Sequence, residues 1–282
     1  MTADEFSSWL KGFSSTGRRR TLIMGVLNVT PDSFSDGGKF LDPAAALAHA
    51  RSMVEDGADL IDVGGESTRP GALPVDAAEQ IRRVAPVIAA IRRELPIAIS
   101  IDTTRAAVAQ AALDAGVNII NDISAGRDDA DLLPLVARRR VPIILMHMQG
   151  SPATMQHQPS YRDVTEEVCQ FFVERLQHLR TLGIDAADCL IDPGLGFGKT
   201  VEHNLQLLAN LLKLIALGRP VVVGPSEKSF LAKITGEGKS RPFGTAAAVA
   251  WCAANGAAVV RVHDVGAMTK VVRLTQAIRQ VL

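Results

Sequence analysis

A single (β/α)8 barrel of the TIM type is the fold this sequence predicts. Eight short apolar runs, rich in Val and Ile, recur along 282 residues. Helix signals lie between them, and polar residues gather just after the runs, where barrels of this kind carry their chemistry. The alternative is a doubly wound open sheet. It would use about five to seven strands and a glycine-rich first turn, and neither fits. No linker of biased composition appears, so residues 21–282 read as one barrel and residues 1–20 as an N-terminal extension.

The first run is Thr21–Leu27, and like the others it is continuous rather than alternating, as expected of a parallel strand buried on both faces. Asp42-Pro43 then supplies an N-cap and a first-turn proline ahead of Leu47, Ala50 and Val54, with Gly57 as a stop. The second run, Asp59–Val63, precedes Ile81, Val84, Ile88 and Ile91 at helical spacing, and Pro86 is expected to kink that helix. The third, Ile97–Ile101, precedes Thr104, Val108, Ala111 and Ala115, ending at Gly116. The fourth and fifth are Val117–Ile120 and Pro142–Met146. A long stripe follows (Val164, Val168, Phe171 or Phe172, Arg175, Leu179), ending at Gly183. The sixth, Cys189–Ile191, precedes Leu205, Leu208, Leu212 and Ile215, ending at Gly218. Pro220–Val223 and Ala258–Val262 complete the strands, and Met268, Val271, Thr275 and Ile278 close the chain.

Composition narrows the function. Hydrophobic residues are 47% and charged residues 21%, enough for a large core. Lys plus Arg and Asp plus Glu are both 30, so there is no basic excess of the kind nucleic-acid or anionic-membrane binders need. Cys169, Cys189 and Cys252 are scattered and odd in number, which fits a reducing compartment and no disulfide framework. Met1–Arg20 has no long apolar stretch and does not read as a secretory signal. Nowhere do 18 apolar residues run together. The expectation is a soluble cytoplasmic protein, an enzyme or a small-ligand binder.

The polar residues after the runs are Asn28, Asp62, Asp102, Asn121, Asp122, His147, Asp192, Ser226, Lys228, Arg261 and His263. Asp62, Asp102, Asp192 and Asn121 point to a ligand with several N–H donors, such as an aminopyrimidine edge, because a carboxylate accepts two N–H groups together. Any one of these aspartates also reads as a helix cap; Asp192, followed by Pro193-Gly194, is the least natural cap. Arg261 and His263, two apart, leave one side of the last strand, and the loops after strands seven and eight are the usual phosphate site of barrels. Asn28 suits Mg²⁺ through its amide oxygen, with a diphosphate giving other ligands. His263 alone reads equally as a structural histidine, and Arg69 as a solvated loop cation. Gly194–Thr200 ends in Gly-Lys-Thr but has Pro193 where a phosphate loop needs glycine. There is no HExxH, no GxSxG around Ser226, and no zinc spacing among the histidines.

Two long blocks then become informative. Met24–Gly38 (MGVLNVTPDSFSDGG) closely resembles the first signature of bacterial dihydropteroate synthases, and Asp62–Gly71 (DVGGESTRPG) resembles the second. Ser100–Thr103, Asn118–Asp122, Leu145–Gly150, Asp192–Lys199 and Arg261–Asp264 continue the resemblance in order to near the end of the chain. It implies a pterin-binding barrel that joins p-aminobenzoate to 6-hydroxymethyl-7,8-dihydropterin pyrophosphate with Mg²⁺, in folate synthesis, as a homodimer. By the same resemblance Asp62, Asp102, Asn121, Met146, Asp192 and Lys228 hold the pterin. Asn28, Arg69, Arg261 and His263 hold the pyrophosphate, with the metal on Asn28. Phe34, Thr68, Pro70, Phe197 and Ser226 form the p-aminobenzoate pocket, where sulfonamides compete. Asp36, Arg69, Asp102 and Lys228 take the catalytic roles, Asp36 by positioning loop and amine, and the loops Thr30–Gly38 and Glu66–Gly71 close over the site.

One departure stands out. The family usually reads Ser-Arg-Lys where this chain has Ser226-Glu227-Lys228. A glutamate there puts negative charge near an anionic benzoate, and the expectation is weaker p-aminobenzoate affinity or altered sulfonamide sensitivity; an outward-facing Glu227 would have no such effect. Two other readings stay open: a non-catalytic pterin-binding paralogue, for which Glu227 is the sole support, and a pterin-dependent methyltransferase of related fold. Against the latter stand Arg261, His263 and the Thr30–Gly38 block.

Overall fold

The structure, a computed structural model, describes residues 1–14, 19–30, 43–67, 73–152, 154–236, 238 and 241–281. Eight parallel strands run in the expected places: β1 (Leu22–Asn28), β2 (Leu60–Gly64), β3 (Ala98–Asp102), β4 (Ile119–Asp122), β5 (Ile143–Met146), β6 (Cys189–Asp192), β7 (Val222–Val223) and β8 (Val259–Val262). Neighbours pair in the order β6-β5-β4-β3-β2-β1-β8-β7, and a bridge between Ile191 and Val221 joins the two ends. The expected (β/α)8 barrel is the fold found.

The helices are α1 (Ala3–Lys11), α2 (Pro43–Glu55), α3 (Ala77–Glu94), α4 (Ala106–Ala115), α5 (Leu132–Arg139), α6 (Val164–Thr181), α7 (Val201–Ala209), α8 (Leu211–Ile215), α9 (Ser229–Thr235), α10 (Arg241–Ala254) and α11 (Val265–Gln280). Their apolar stripes pack on the outward strand side chains, including Ile23, Ile61, Ile99, Ile120, Ile191 and Val260. The helix α3 spans one element with Pro86 inside it. Two helical expectations need correction. Of the stripe Leu205, Leu208, Leu212 and Ile215, Leu208 is buried and Ile215 packs on the core as expected, but Leu205 and Leu212 face out, at 45% and 64% exposure. The chain breaks at Asn210 into α7 and α8, and Leu207, Leu208, Leu211 and Leu214 form the inner face. Near the C-terminus Met268 is buried as expected, but Ile278 is exposed and Thr269 and Val272 take the inner face. The N-cap Asp42 lies outside the described residues.

The N-terminal segment is more than an extension. Thr2 and Glu5 form a reciprocal capping box that starts α1. That helix buries Phe6 and Leu10 in one cluster with Leu22, Met24, Leu60, Ala98, Ile119, Ile144, Leu190, Val222 and Val259. These strand residues form the barrel's apolar floor, and α1 plugs it from below.

Parity along the strands then decides what lies above the floor. Two residues beyond the last floor position of each strand stand Val26, Asp62, Ser100, Asn121, Met146, Asp192, Gly224 and Arg261. Two further on the first four strands come Asn28, Gly64, Asp102 and Ile123, with Asn28, Gly64 and Asp102 paired side by side. The interior thus changes from hydrocarbon to carboxylate, amide and guanidinium within about two residues of rise, or roughly 7 Å.

Candidate active site

One pocket opens at the C-terminal ends of the strands. Asp102, Asn121, Ile123, Met146, Asp192, Gly194, Leu195, Phe197, Gly224, Lys228 and Arg261 line it. Five of the six residues expected to hold a pterin, Asp102, Asn121, Met146, Asp192 and Lys228, are therefore brought together. The sixth, Asp62, sits just beneath and is fully buried. It accepts hydrogen bonds from Ser100 Oγ, from Asn121 Nδ2 at 3.1 Å and from Arg261 Nε at 2.6 Å.

Arg261 is placed differently from the simplest expectation. Its Nη2 donates to Asp102 Oδ2 at 2.9 Å while Nε holds Asp62, so the guanidinium bridges two carboxylates of the pocket instead of extending beside His263. His263 instead pairs with Ser226, Nδ1 to Oγ at 2.9 Å and backbone N to Oγ at 3.2 Å. Asn28 stands on β1 next to Gly64, where the missing side chain leaves room for its amide oxygen. Phe34, Asp36, Thr68, Arg69 and Pro70 lie outside the described residues.

The electrostatics follow from enclosure. Burial pushes Asp102 up to about 7; Arg261 pulls it down, while Asp62 and Asp122 push it further up. Burial also raises Asp192, opposed by the Gly194 backbone N–H, which donates to its Oδ1 at 2.7 Å, and by Lys228 and Arg261. Lys228 is brought down to about 8 by burial and by Arg261, against Asp192 and Asp102. Its ammonium stands 4.2 Å over the Phe197 ring. Burial disfavours the charge on Arg261, yet the two carboxylates hold its proton more tightly still.

One wall is the loop after β6, which carries Gly194, Leu195 and Phe197. Gly194 takes φ +67°, and a Cβ there would collide with the His147 carbonyl oxygen, so glycine lets this loop lie directly on the loop after β5. Two side chains tie the loops together: Gln156 Nε2 donates to Gly196 O at 2.6 Å and Tyr161 Oη to Gly198 O at 2.9 Å. From the following helix α7, Asn204 Oδ1 accepts from Gly196 N at 2.7 Å. Glu227 is exposed and does not line the pocket; its backbone, at φ +56°, donates to Thr245 Oγ1 at 3.4 Å.

Sequence reasoning missed Ser100 as a partner of Asp62, and gave Lys199 no role. In Ser100 the signal was parity: a hydroxyl two residues before Asp102, inside an apolar run. For Lys199 no signal was visible.

Comparison with known proteins fits this geometry. A family model described as pterin binding enzyme matches residues 24–263. The dihydropteroate synthase of Synechocystis sp. is 47% identical over 262 residues, covering 92% of this chain and 91% of the relative. Yersinia pestis dihydropteroate synthase, solved as a sulfonamide drug complex, superposes with a TM-score of 0.88 at 41% identity, over 93% of this chain and 95% of the other. The Xanthomonas albilineans enzyme in complex with 7,8-dihydropteroate gives 0.83 at 42% identity, over 92% and 94%. A shared family model, high identity over nearly the whole length and a common barrel together place the chain in the pterin-binding enzyme family, among the dihydropteroate synthases.

Proposed function

We propose that the chain condenses 6-hydroxymethyl-7,8-dihydropterin pyrophosphate with p-aminobenzoate to give 7,8-dihydropteroate and pyrophosphate. The observation that carries this is the convergence of Asp102, Asn121, Asp192 and Lys228 on one pocket. Two carboxylates and an amide match the N–H groups of an aminopterin edge, and Lys228 donates to its ring acceptors.

The reaction needs no protein nucleophile. The bond from the pterin methylene to the diphosphate oxygen breaks, and its electron pair leaves with pyrophosphate. Positive charge develops on the methylene, conjugated to the electron-rich dihydropterin, and the nearby Asp62 and Asp102 carboxylates stabilise it. The aniline nitrogen attacks that carbon with its lone pair and then loses a proton. His263, and Arg261 once released from the carboxylates, provide donors for the departing diphosphate, while Ser226, on the acceptor side, holds the His263 ring. Arg69 joins them on the strength of the family pattern, as Asp36, Phe34, Thr68 and Pro70 join the acceptor side.

Mg²⁺ fits as a ligand shared with the substrate. Among the described residues no group of three His, Cys, Asp or Glu side chains is placed to hold a metal. The Asn28 amide oxygen is a hard donor at the mouth, and as one neutral ligand it suits a cation that takes its other oxygens from a diphosphate. Bound there, Mg²⁺ would neutralise charge on the leaving group. A homodimer belongs to the same proposal, supported by exposed apolar side chains on adjacent helices, Phe243 and Trp251 on α10 and Leu274 and Ile278 on α11.

The test is incubation of the purified protein with Mg²⁺, the pterin pyrophosphate and labelled p-aminobenzoate. Labelled dihydropteroate is the expected product. Retention of the pterin without product would instead identify a binding paralogue, and methyl transfer from methyltetrahydrofolate to a corrinoid would identify the methyltransferase.

A further inference from the structure

Lys199 is buried, at 3% exposure, and the reaction above does not use it. Its Nζ has three partners, all neutral: the carbonyl oxygens of Phe197 at 3.0 Å and His147 at 3.3 Å, and His147 Nδ1 at 3.0 Å. An ammonium has three N–H donors, so the set is complete. A buried cation without a contacting carboxylate is costly all the same. Burial, with Lys228 and Arg127 nearby, brings Lys199 down to about 7, against the pull of Asp192. The neighbouring His147 is held neutral, driven down to about 2 by burial and by Lys199 and Arg127.

What Lys199 joins is specific. His147 follows β5 and Phe197 follows β6, and the Phe197 ring lies under Lys228, which follows β7. Three consecutive active-site loops are thus linked through one ammonium and one ring. The middle loop has glycine at 194, 196 and 198, all at positive φ. Such a backbone has little conformational preference of its own, so the direction of the Phe197 ring depends on outside ties.

We propose that Lys199 is a positioning residue for the acceptor side of the pocket: by drawing the His147 and Phe197 carbonyls together it fixes the Phe197 ring against Lys228 and so sets the wall on which the aromatic amine docks. The inference rests on the proposed function for the identity of the acceptor.

The test is Lys199→Met, which keeps length and apolar bulk but removes the donors. The KM for p-aminobenzoate should rise roughly tenfold while that for the pterin pyrophosphate moves less than about twofold. In a Phe197→Ala background, Lys199→Met should add nothing further to the acceptor KM. Equal rises in both KM values, an unchanged acceptor KM, or additive losses would each overturn the proposal. Lys199→Gln, which retains N–H donors on a shorter arm, should give a smaller shift in the same direction and serves where the Met variant does not fold. Failure of both variants to fold would assign the lysine to the fold alone and overturn the proposal. Absence of product from the wild type would sink the proposed function instead. The inference would then be read from a crystal structure of Lys199→Gln, where a Phe197–Lys228 separation beyond 4.2 Å supports it and an unchanged one rejects it.

Discussion

Asp102 meets two opposed demands. It must be ionised to accept pterin N–H groups, yet burial favours its neutral form and holds it near 7. Lys228 faces the converse and sits near 8. Below about 7 Asp102 takes a proton and turns a donor toward donors; above about 8 Lys228 loses its charge. The pH profile of kcat/KM for the pterin substrate should therefore be a narrow bell with limbs near these values. Asp102→Asn should abolish the acid limb together with most pterin affinity, and normal affinity in that variant would contradict the slot. Arg261→Ala should weaken binding of the pterin pyrophosphate more than of the bare pterin, measured by calorimetry, since only the first presents a diphosphate. Glu227→Arg should lower the p-aminobenzoate KM by no more than roughly threefold, because an exposed charge is screened within a Debye length. At this scale the aspartates and Asn121 were legible, since a polar group at the end of a buried apolar strand either caps the next helix or meets a ligand, and caps do not cluster. The inward turn of Arg261 was not, because the alternation that puts it beside His263 says nothing about which acidic group its long side chain will find.

Among the elements, the strands were readable and the outer helices less so. A buried parallel strand announces itself by β-branched runs, and each run found lies within two residues of its strand. The parity inside the runs went unread, although it separates floor from pocket: Leu60 from Asp62, Ala98 from Ser100, Leu190 from Asp192. The stripe through Leu205 and Leu212 misled because Leu207, Leu208, Leu211 and Leu214 offer an equally regular helical face beside it, and spacing alone does not say which face meets the barrel. The helix α1 was hidden because only Phe6 and Leu10 bury deeply, too few to make a periodic signal, while its capping box was there to be seen. Phe6→Ala should cost about 3 kcal/mol of stability by denaturant unfolding, with kcat at saturating substrates unchanged, since the plug lies at the end opposite the pocket. Gly194→Ala should do the reverse damage, with severe loss of activity in whatever folds, because its Cβ needs the space of the His147 carbonyl.

For the whole molecule, alternation of strands and helices was enough to give the barrel, and the barrel rule was enough to say at which end chemistry gathers. Assembly is the prediction that belongs here: sedimentation should find a dimer, and charge introduced by Trp251→Glu with Leu274→Glu should shift it toward monomer. The floor and its plug have a further consequence. Hydrocarbon from nine strand positions and α1 closes the lower end, so among the described residues the buried Asp62–Ser100 hydrogen bond has an apolar plug beneath it and the pocket above. A seated heterocycle is then also a stopper, shutting water away from the polar layer it rests on until it departs.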